Sequence, residues 1–419
     1  VTAGPPSPPA GAPVTLAGLT ASPNALAPHY ARFRVAERLL LTGHSHQAWP
    51  DVAREAQLEA FDDAAAAVDG KWDRAFAKAD EVRDGFRRLL GDPDGEVALG
   101  ANTHELVVRF LSALDLAGRR PRLVTSGGEF HSLRRQLARL AEEGVDVVRV
   151  PAEPAGTLAE RLAAHVDDRT AAVLVSSVLF ETARIVPGLG DLAATCRRWG
   201  AELLVDAYHG LGVVPTAIHD EGLSSAWVVA GGYKYLQLGE GNCCLRLPEH
   251  AERMRPVVTG WYAEFGALAD RPDGPGDGGP GTVAYGPGAW RFAGATYDPT
   301  SHHRAARVLR FFADHGLTPA LLAASYRHQR SVLARGVDAL GVPDDLLTRD
   351  RDTPAAGFGG FLALRSPRAG ELQRALRDRG VHADSRGDQL RLGPAPYLSD
   401  AQLEAAVEAL GEAVRSLGT

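Results

Sequence analysis

The chain has 419 residues, with 45 Lys and Arg against 52 Asp and Glu, a formal net charge of −7 and 45% hydrophobic residues. That length can bury a core large enough for two domains, and the negative balance argues against a nucleic-acid surface, which needs a basic patch. Cys196, Cys243 and Cys244 make neither a disulfide framework nor a metal-ligand spacing, and no apolar run is long enough to cross a bilayer.

The opening VTAGPPSPPAGAPV has neither the basic start nor the apolar core of a secretory signal. It is read as the start of a partly disordered arm over residues 1–38, and the protein is expected in the cytoplasm. RLLLTGHSHQAWPDV follows as a short strand-like run and a polar turn. His44 and His46 lie on that turn without an acidic or cysteine partner, so no metal site is expected. A helix from Asp51 to Val68 and a second one ending at Leu90 lead to a strand, Glu96 to Leu99. The next helix carries Asn102, Thr103 and His104 in its first turn. Free N–H groups and the positive dipole end make such a start a natural phosphate site, and an N-cap at Asn102 is compatible with that.

RPRLVTSGGEFHSLRRQL reads as strand, Gly turn and helix. Strands Val145–Val150 and Ala171–Val175 and helices Thr157–Val166 and Leu189–Trp199 continue the alternation. Strands separated by helices of about a dozen residues predict a mainly parallel sheet wrapped by helices. In AELLVDAYHGLGVVP a buried strand ends on Asp206, with His209 just beyond. In WVVAGGYKYLQLGEGNCCLRLP another ends in Gly231-Gly232-Tyr233-Lys234. Ligands of open α/β sheets bind at such strand ends. The only lysines are Lys71, Lys78 and Lys234, the first two on a polar helix. A carboxylate and a lysine so placed suit pyridoxal phosphate: the lysine forms the Schiff base and the carboxylate keeps the pyridine nitrogen protonated. A solvated loop lysine is the plain alternative. A Gly/Pro/Asp-rich loop, Arg271 to Gly281, reads as a mobile flap. Helices near Thr300–His315 and Pro319–Leu340 come next, with His302 and His303 read as caps. GFGGFLALRS, a helix Arg368–Arg379, GVHADSRGDQLRLGPAPYLS and an amphipathic helix complete a smaller α+β domain.

Asp-x-x-His at 206–209 with Gly-Tyr-Lys-Tyr at 232–235 resembles the fold-type I enzymes of the class V aminotransferase group, and within them kynureninase. The resemblance extends over most of the chain after about residue 38. It implies a large domain over 60–295 with a mainly parallel seven-stranded sheet, and a small domain from 39–59 and 296–419. It also implies Thr103 and His104 at the cofactor phosphate, and Phe130 stacked on the pyridine ring with His131 as fallback. His209 is expected near the ring hydroxyl, Tyr233 at the phosphate or in proton relay, and Trp261 near the phosphate. Thr296 reaches the partner's phosphate in a homodimer with shared active sites. Arg391, whose planar fork suits a carboxylate, is implied as the clamp on the substrate's α-carboxylate, a surface-strand arginine being the alternative. His44 and His46 fall at the substrate mouth, and Trp49, Trp261 and Tyr262 are read with them as a pocket for a polar or aromatic side group.

The sequence departs from kynureninase at His44–Gln47, where His-Ser-His-Gln replaces Asn-Ser-Leu-Gly, and at Leu133, where an Asp is usual. Phe180 and Thr182 stand in its Tyr-x-Thr-Gly segment. The implied reaction breaks a carbon–carbon bond in the side chain of an α-amino acid, with L-kynurenine only slightly favoured as substrate. β-Elimination or C–S lysis, transamination, decarboxylation and oxidation use the same cofactor, and a catalytically silent binding homologue is the non-enzyme alternative. A persulfide mechanism is disfavoured because no cysteine follows Cys244.

Overall fold

Runs of Val, Leu and Ala too short for helices and flanked by Gly or Asp dictate the centre of the molecule: β-strands buried on both faces. The structure is a computed structural model that describes residues 13–267 and 282–417. The N-terminal twelve residues and the 271–281 loop therefore lie outside the described residues. In sequence order the elements begin with α1 (Leu16–Thr20), β1 (Leu39–Leu40), α2 (Val52–Ala67), α3 (Lys71–Leu90), β2 (Glu96–Gly100), α4 (Thr103–Ser112), β3 (Arg122–Ser126) and α5 (His131–Glu142). They continue with β4 (Asp146–Val150), α6 (Leu158–Ala163), β5 (Thr170–Ser176), α7 (Leu189–Trp199), β6 (Glu202–Asp206), β7 (Trp227–Gly231) and β8 (Cys243–Leu247). The rest comprises α8 (Thr300–Asp314), α9 (Pro319–Ala339), β9 (Leu362–Arg365), α10 (Ala369–Asp378), β10 (Val381–His382), β11 (Asp384–Arg386), β12 (Gln389–Leu392) and α11 (Asp400–Leu417).

Seven strands form one sheet in the order β2-β8-β7-β6-β5-β3-β4. β8 runs antiparallel to both β2 and β7, and the remaining pairings are parallel, as the alternation of strands and helices predicts. β5, β7 and β8 are buried along their whole length. The parallel pairing of β5 with β6 sets Ser176 beside Asp206, so both stand at the same carboxyl edge. Beyond it, β11, β12 and β9 make a three-stranded antiparallel sheet. β1 pairs with β10 and Thr42 bridges to Gly393, so the turn with the two histidines is tied to the C-terminal sheet. α2 and α3 pack on α8. Residues 13–38, part of the expected arm, hold α1 and 3-10 turns, and Val14 N donates to His315 O at 2.9 Å. His302 and His303 are not caps: both rings are buried, and it is Asp298 Oδ1 that accepts from Thr300 N at 2.9 Å at the start of α8. None of the described helices is long and apolar enough to cross a membrane.

Candidate active site

The carboxyl edge of β5, β6 and β7 and the start of α4 enclose a cavity of about 280 Å³, just under the usual ~300–1,000 Å³ of small-ligand sites. Its wall includes Thr103, His104, Phe130, Asp206, His209 and Lys234. Lys234 arrives there because β7 ends at Gly231 and the backbone turns. A Cβ on Gly231 would lie 2.3 Å from the Tyr208 ring, so only glycine lets that ring pack against the strand end. Lys234 Nζ lies 2.8 Å from His209 Nε2 and over three rings, 4.4 Å from the centre of Tyr208, 5.1 Å from that of Phe130 and 5.8 Å from that of Tyr233. Asp206 accepts a hydrogen bond from Tyr208 N at 2.9 Å. Asn102 caps α4 by accepting from Glu105 N at 2.9 Å, which leaves Thr103 and His104 on the cavity side of a ten-residue helix.

Burial dominates the electrostatics. It brings the Lys234 amine down to about 8, with Asp206 opposing and Arg391 adding to the shift. The same desolvation pushes the Asp206 carboxyl up, against the Tyr208 N–H and Lys234. His209 is held neutral by burial first, then by Lys234, His44 and Arg391. A charged lysine has donors and no acceptor, so it donates to His209 Nε2. The buried Nδ1 of His209 has no protein partner.

The expected site residues divide into three groups. Asn102, Thr103, His104, Phe130, Asp206, His209, Tyr233 and Lys234 line one cavity; His131, the fallback for stacking, does not. His46 is exposed on its rim, stacked on Tyr233 with centroids 4.9 Å apart and 3.7 Å from Glu240. Arg391 and His44 lie behind the wall. Arg391 Nε and Nη2 donate to the two oxygens of Asp384 at 2.8 and 2.6 Å, and Nη1 to Phe180 O at 2.6 Å. His44 has no exposed surface and bonds Asp384 Oδ1 through Nε2 at 2.9 Å, so contact with a substrate, as expected from sequence, would have to pass through that carboxylate. Gly393 makes room for it, since a Cβ there would meet His44 Nδ1 at 2.1 Å. Trp261 and Thr296 are elsewhere. Trp261 Nε1 donates to Thr296 Oγ1 at 3.3 Å, and Thr296 and Tyr262 line an adjoining cavity of about 630 Å³ that shares Ala101, Glu240 and Gly241 with that of Lys234. Of the expected aromatic pocket, Tyr262 lines the adjoining cavity, and Trp49 packs under Arg304, 4.5 Å away.

Sequence reasoning misses Tyr208, Glu129, Ser176 and Asp384. Glu129 is fully buried and accepts hydrogen bonds from Ser126 Oγ, from Ser176 Oγ at 2.6 Å and from Ser176 N at 3.2 Å. Asp384 is legible in principle: a two-residue Gly387-Asp388 turn makes a hairpin that sets residue 384 opposite 391.

No protein-family model matches the sequence. The chain is 31% identical to kynureninase of Xanthomonas campestris pv. campestris over 195 residues, 43% of this chain and 45% of that enzyme. The match thus spans less than half the length of that curated relative. It is 24% identical over 341 residues to the uncharacterized aminotransferase YcbU of Bacillus subtilis, covering 80% of this chain and 84% of the relative. Among solved structures it is similar to the cystine C-S lyase C-DES in complex with cysteine persulfide, at a TM-score of 0.77 and 17% identity, over 90% of this chain and 98% of that one. The cysteine desulfurase CsdA of Escherichia coli superposes with a TM-score of 0.72 and 16% identity, over 94% and 98% of the two chains. Together with the seven-stranded sheet and the lysine at its carboxyl edge, these likenesses give the chain the fold of the fold-type I pyridoxal phosphate proteins and make it similar to kynureninase and to an aminotransferase.

Proposed function

We propose that the protein cleaves the Cβ–Cγ bond of an α-amino acid bearing a γ-carbonyl, in the manner of kynureninase, giving alanine and an acid. The observation that carries the reading is Lys234: a buried amine, 2.8 Å from a neutral histidine, in the cavity that Asp206 also lines. Bound pyridoxal phosphate supplies an aldehyde for that amine and a ring that accepts the electron pair released at the substrate's α-carbon.

The residues divide the remaining work. With its amine near 8, Lys234 holds a neutral fraction around neutral pH, able to take the aldehyde and later to move the α-proton. Asp206 holds the proton on the ring nitrogen. Phe130 would pack against the ring face, and the α4 start with Thr103 and His104 would take the phosphate. His209 would orient the ring near its hydroxyl, and Tyr233 would contact the phosphate or relay a proton. Arg391 grips the substrate carboxylate with the two N–H groups left of its five, the other three being committed to Asp384 and Phe180. Thr296 reaches the phosphate of a partner subunit in a homodimer, and Trp261, which donates to Thr296, lies near the phosphate.

Borohydride reduction of the purified protein followed by peptide mapping should place the pyridoxyl label on Lys234. A label on Lys71, Lys78 or nowhere defeats the assignment. A panel of amino acids that includes L-kynurenine then reads the reaction from its products. Alanine with an acid supports the proposal, whereas pyruvate with ammonia, transfer to a keto acid or loss of carbon dioxide replaces it.

A further inference from the structure

We propose that Glu129 is a positioning residue of the active site, acting through Ser176 on Asp206 to set how firmly a proton is held at the cofactor's ring nitrogen. This rests on the reading of the cavity as a pyridoxal phosphate site.

Glu129 stands between the Gly127-Gly128 turn and the cavity residue Phe130, with its carboxyl turned inwards. Its three hydrogen bonds come from the ends of two neighbouring strands: Ser126 closes β3, and Ser176 closes β5. Ser176 lines the cavity and is the register partner of Asp206 on β6. The buried Glu129 carboxyl and the half-buried Asp206 on the cavity wall thus stand at neighbouring strand ends, with Ser176 between them in the sheet.

Like charges that share a buried region cannot both ionise freely. The titratable neighbour acting on Glu129 is Asp206, and Asp206 is faced in turn by the Lys234 amine; the hydroxyls of Ser126 and Ser176 are the other polar groups against Glu129. Burial holds the Glu129 carboxyl up at about 7, its hydrogen bonds opposing and Asp206 adding to the rise. Neutral below that pH, Glu129 adds no charge beside Asp206. Ionised above it, Glu129 adds a negative charge that favours every proton nearby, those on Asp206, on Lys234 and on a ring nitrogen included.

The test uses the holoprotein and the visible absorption of its bound cofactor across pH 5–10. In the parent the band should change in two steps, one of them near pH 7. Glu129→Gln keeps the shape of the residue but cannot ionise, so the step near neutrality should vanish and the remaining midpoint should move to lower pH. Ser176→Ala removes one donor from the carboxylate and should move the same step to higher pH. Glu129→Asp, which restores an acid, should bring a step back. The inference is overturned if Glu129→Gln titrates like the parent, or if the Ser176→Ala step does not move. Should Glu129→Gln fail to fold, Ser176→Ala decides alone. A preparation with no visible band and no borohydride label on Lys234 instead sinks the cofactor reading, so the two failures are distinguishable.

Discussion

Two clusters of buried charge lie close together, and they treat their charges in opposite ways. At the carboxyl edge of the large sheet, Lys234, Asp206 and His209 line a cavity, and Lys234 donates to His209. At the C-terminal hairpin, Arg391 and Asp384 satisfy one another bidentately, and His44 closes the cluster from below. The first leaves polar groups for a ligand. The second is paired mostly within the protein, with His44 Nδ1 and two Arg391 N–H groups left over, and it holds the β11–β12 hairpin against the Phe180 segment. An arginine can match a carboxylate clamp in sequence and still commit most of its donors to its own protein.

The largest effects belong to the open cluster. Lys234→Ala should lower turnover by on the order of 10³-fold or more, since both the amine and the proton transfer are lost. Thr296→Ala should also be poorly active if Thr296 serves a partner. Mixing the two variants should then recover part of the activity through hybrid dimers with one intact site. A mixture no better than its components, or a fully active monomer in solution, would rule out shared sites.

The legibility of the two clusters differs for a physical reason. Strand ends are written in sequence: apolar runs that stop at Asp206 and at Gly231-Gly232-Tyr233-Lys234 predict both the element and the direction in which the polar residue emerges. The mainly parallel sheet and helices such as Leu189–Trp199 follow from the same periodicity. Glu129 is hidden because its partners, Ser126 and Ser176, are fifty residues apart and meet only through sheet order. The burial of His44 is equally invisible, because nothing local shows that Thr42 pairs with Gly393.

Arg391 and Asp384 give the next largest effect, and it should fall on stability as well as activity. Removing one partner of a buried pair strands the other's charge, at a cost of roughly 3–5 kcal/mol. Asp384→Ala should therefore lower the melting temperature strongly. Arg391→Ala should do the same and also depress kcat/KM for amino acids. If Arg391→Ala leaves turnover of every accepted amino acid unchanged while destabilising the protein, the arginine is structural and the carboxylate clamp lies elsewhere.

The two clusters should also carry opposite pH slopes. Glu129 holds its proton up to about 7 in the fold but only to about 4.5 when unfolded, so its contribution falls as pH rises through that window. Burial depresses His44 to about 4 from 6.5, with Asp384 opposing, so its contribution falls as pH drops from 6.5 towards 4. Each span corresponds to on the order of 3 kcal/mol. Relative to the parent, Glu129→Gln should gain stability between about pH 4.5 and 7, and His44→Gln should gain as pH drops below 6.5. Denaturant midpoints at four or five pH values would read both slopes, and parallel curves for parent and variants would show that neither group titrates as its surroundings imply.

The smallest effect is expected where the comparison is weakest, at the rim that joins the clusters. His46 belongs to the same turn as His44, yet its ring is mostly exposed and its ion-pair distance to an equally exposed Glu240 is long, so charge contributes little. What remains is its stack on Tyr233, one residue before Lys234. Such a ring pair is worth about 0.5–1.5 kcal/mol beyond the area it buries, equivalent to a change of roughly two- to tenfold. His46→Ala should accordingly leave folding and the Lys234 label intact and raise KM within that range, while His46→Phe, which keeps a ring over Tyr233, should restore it. A loss of kcat with unchanged KM would instead place His46 in the chemistry and move the working boundary of the site outward to the exposed turn.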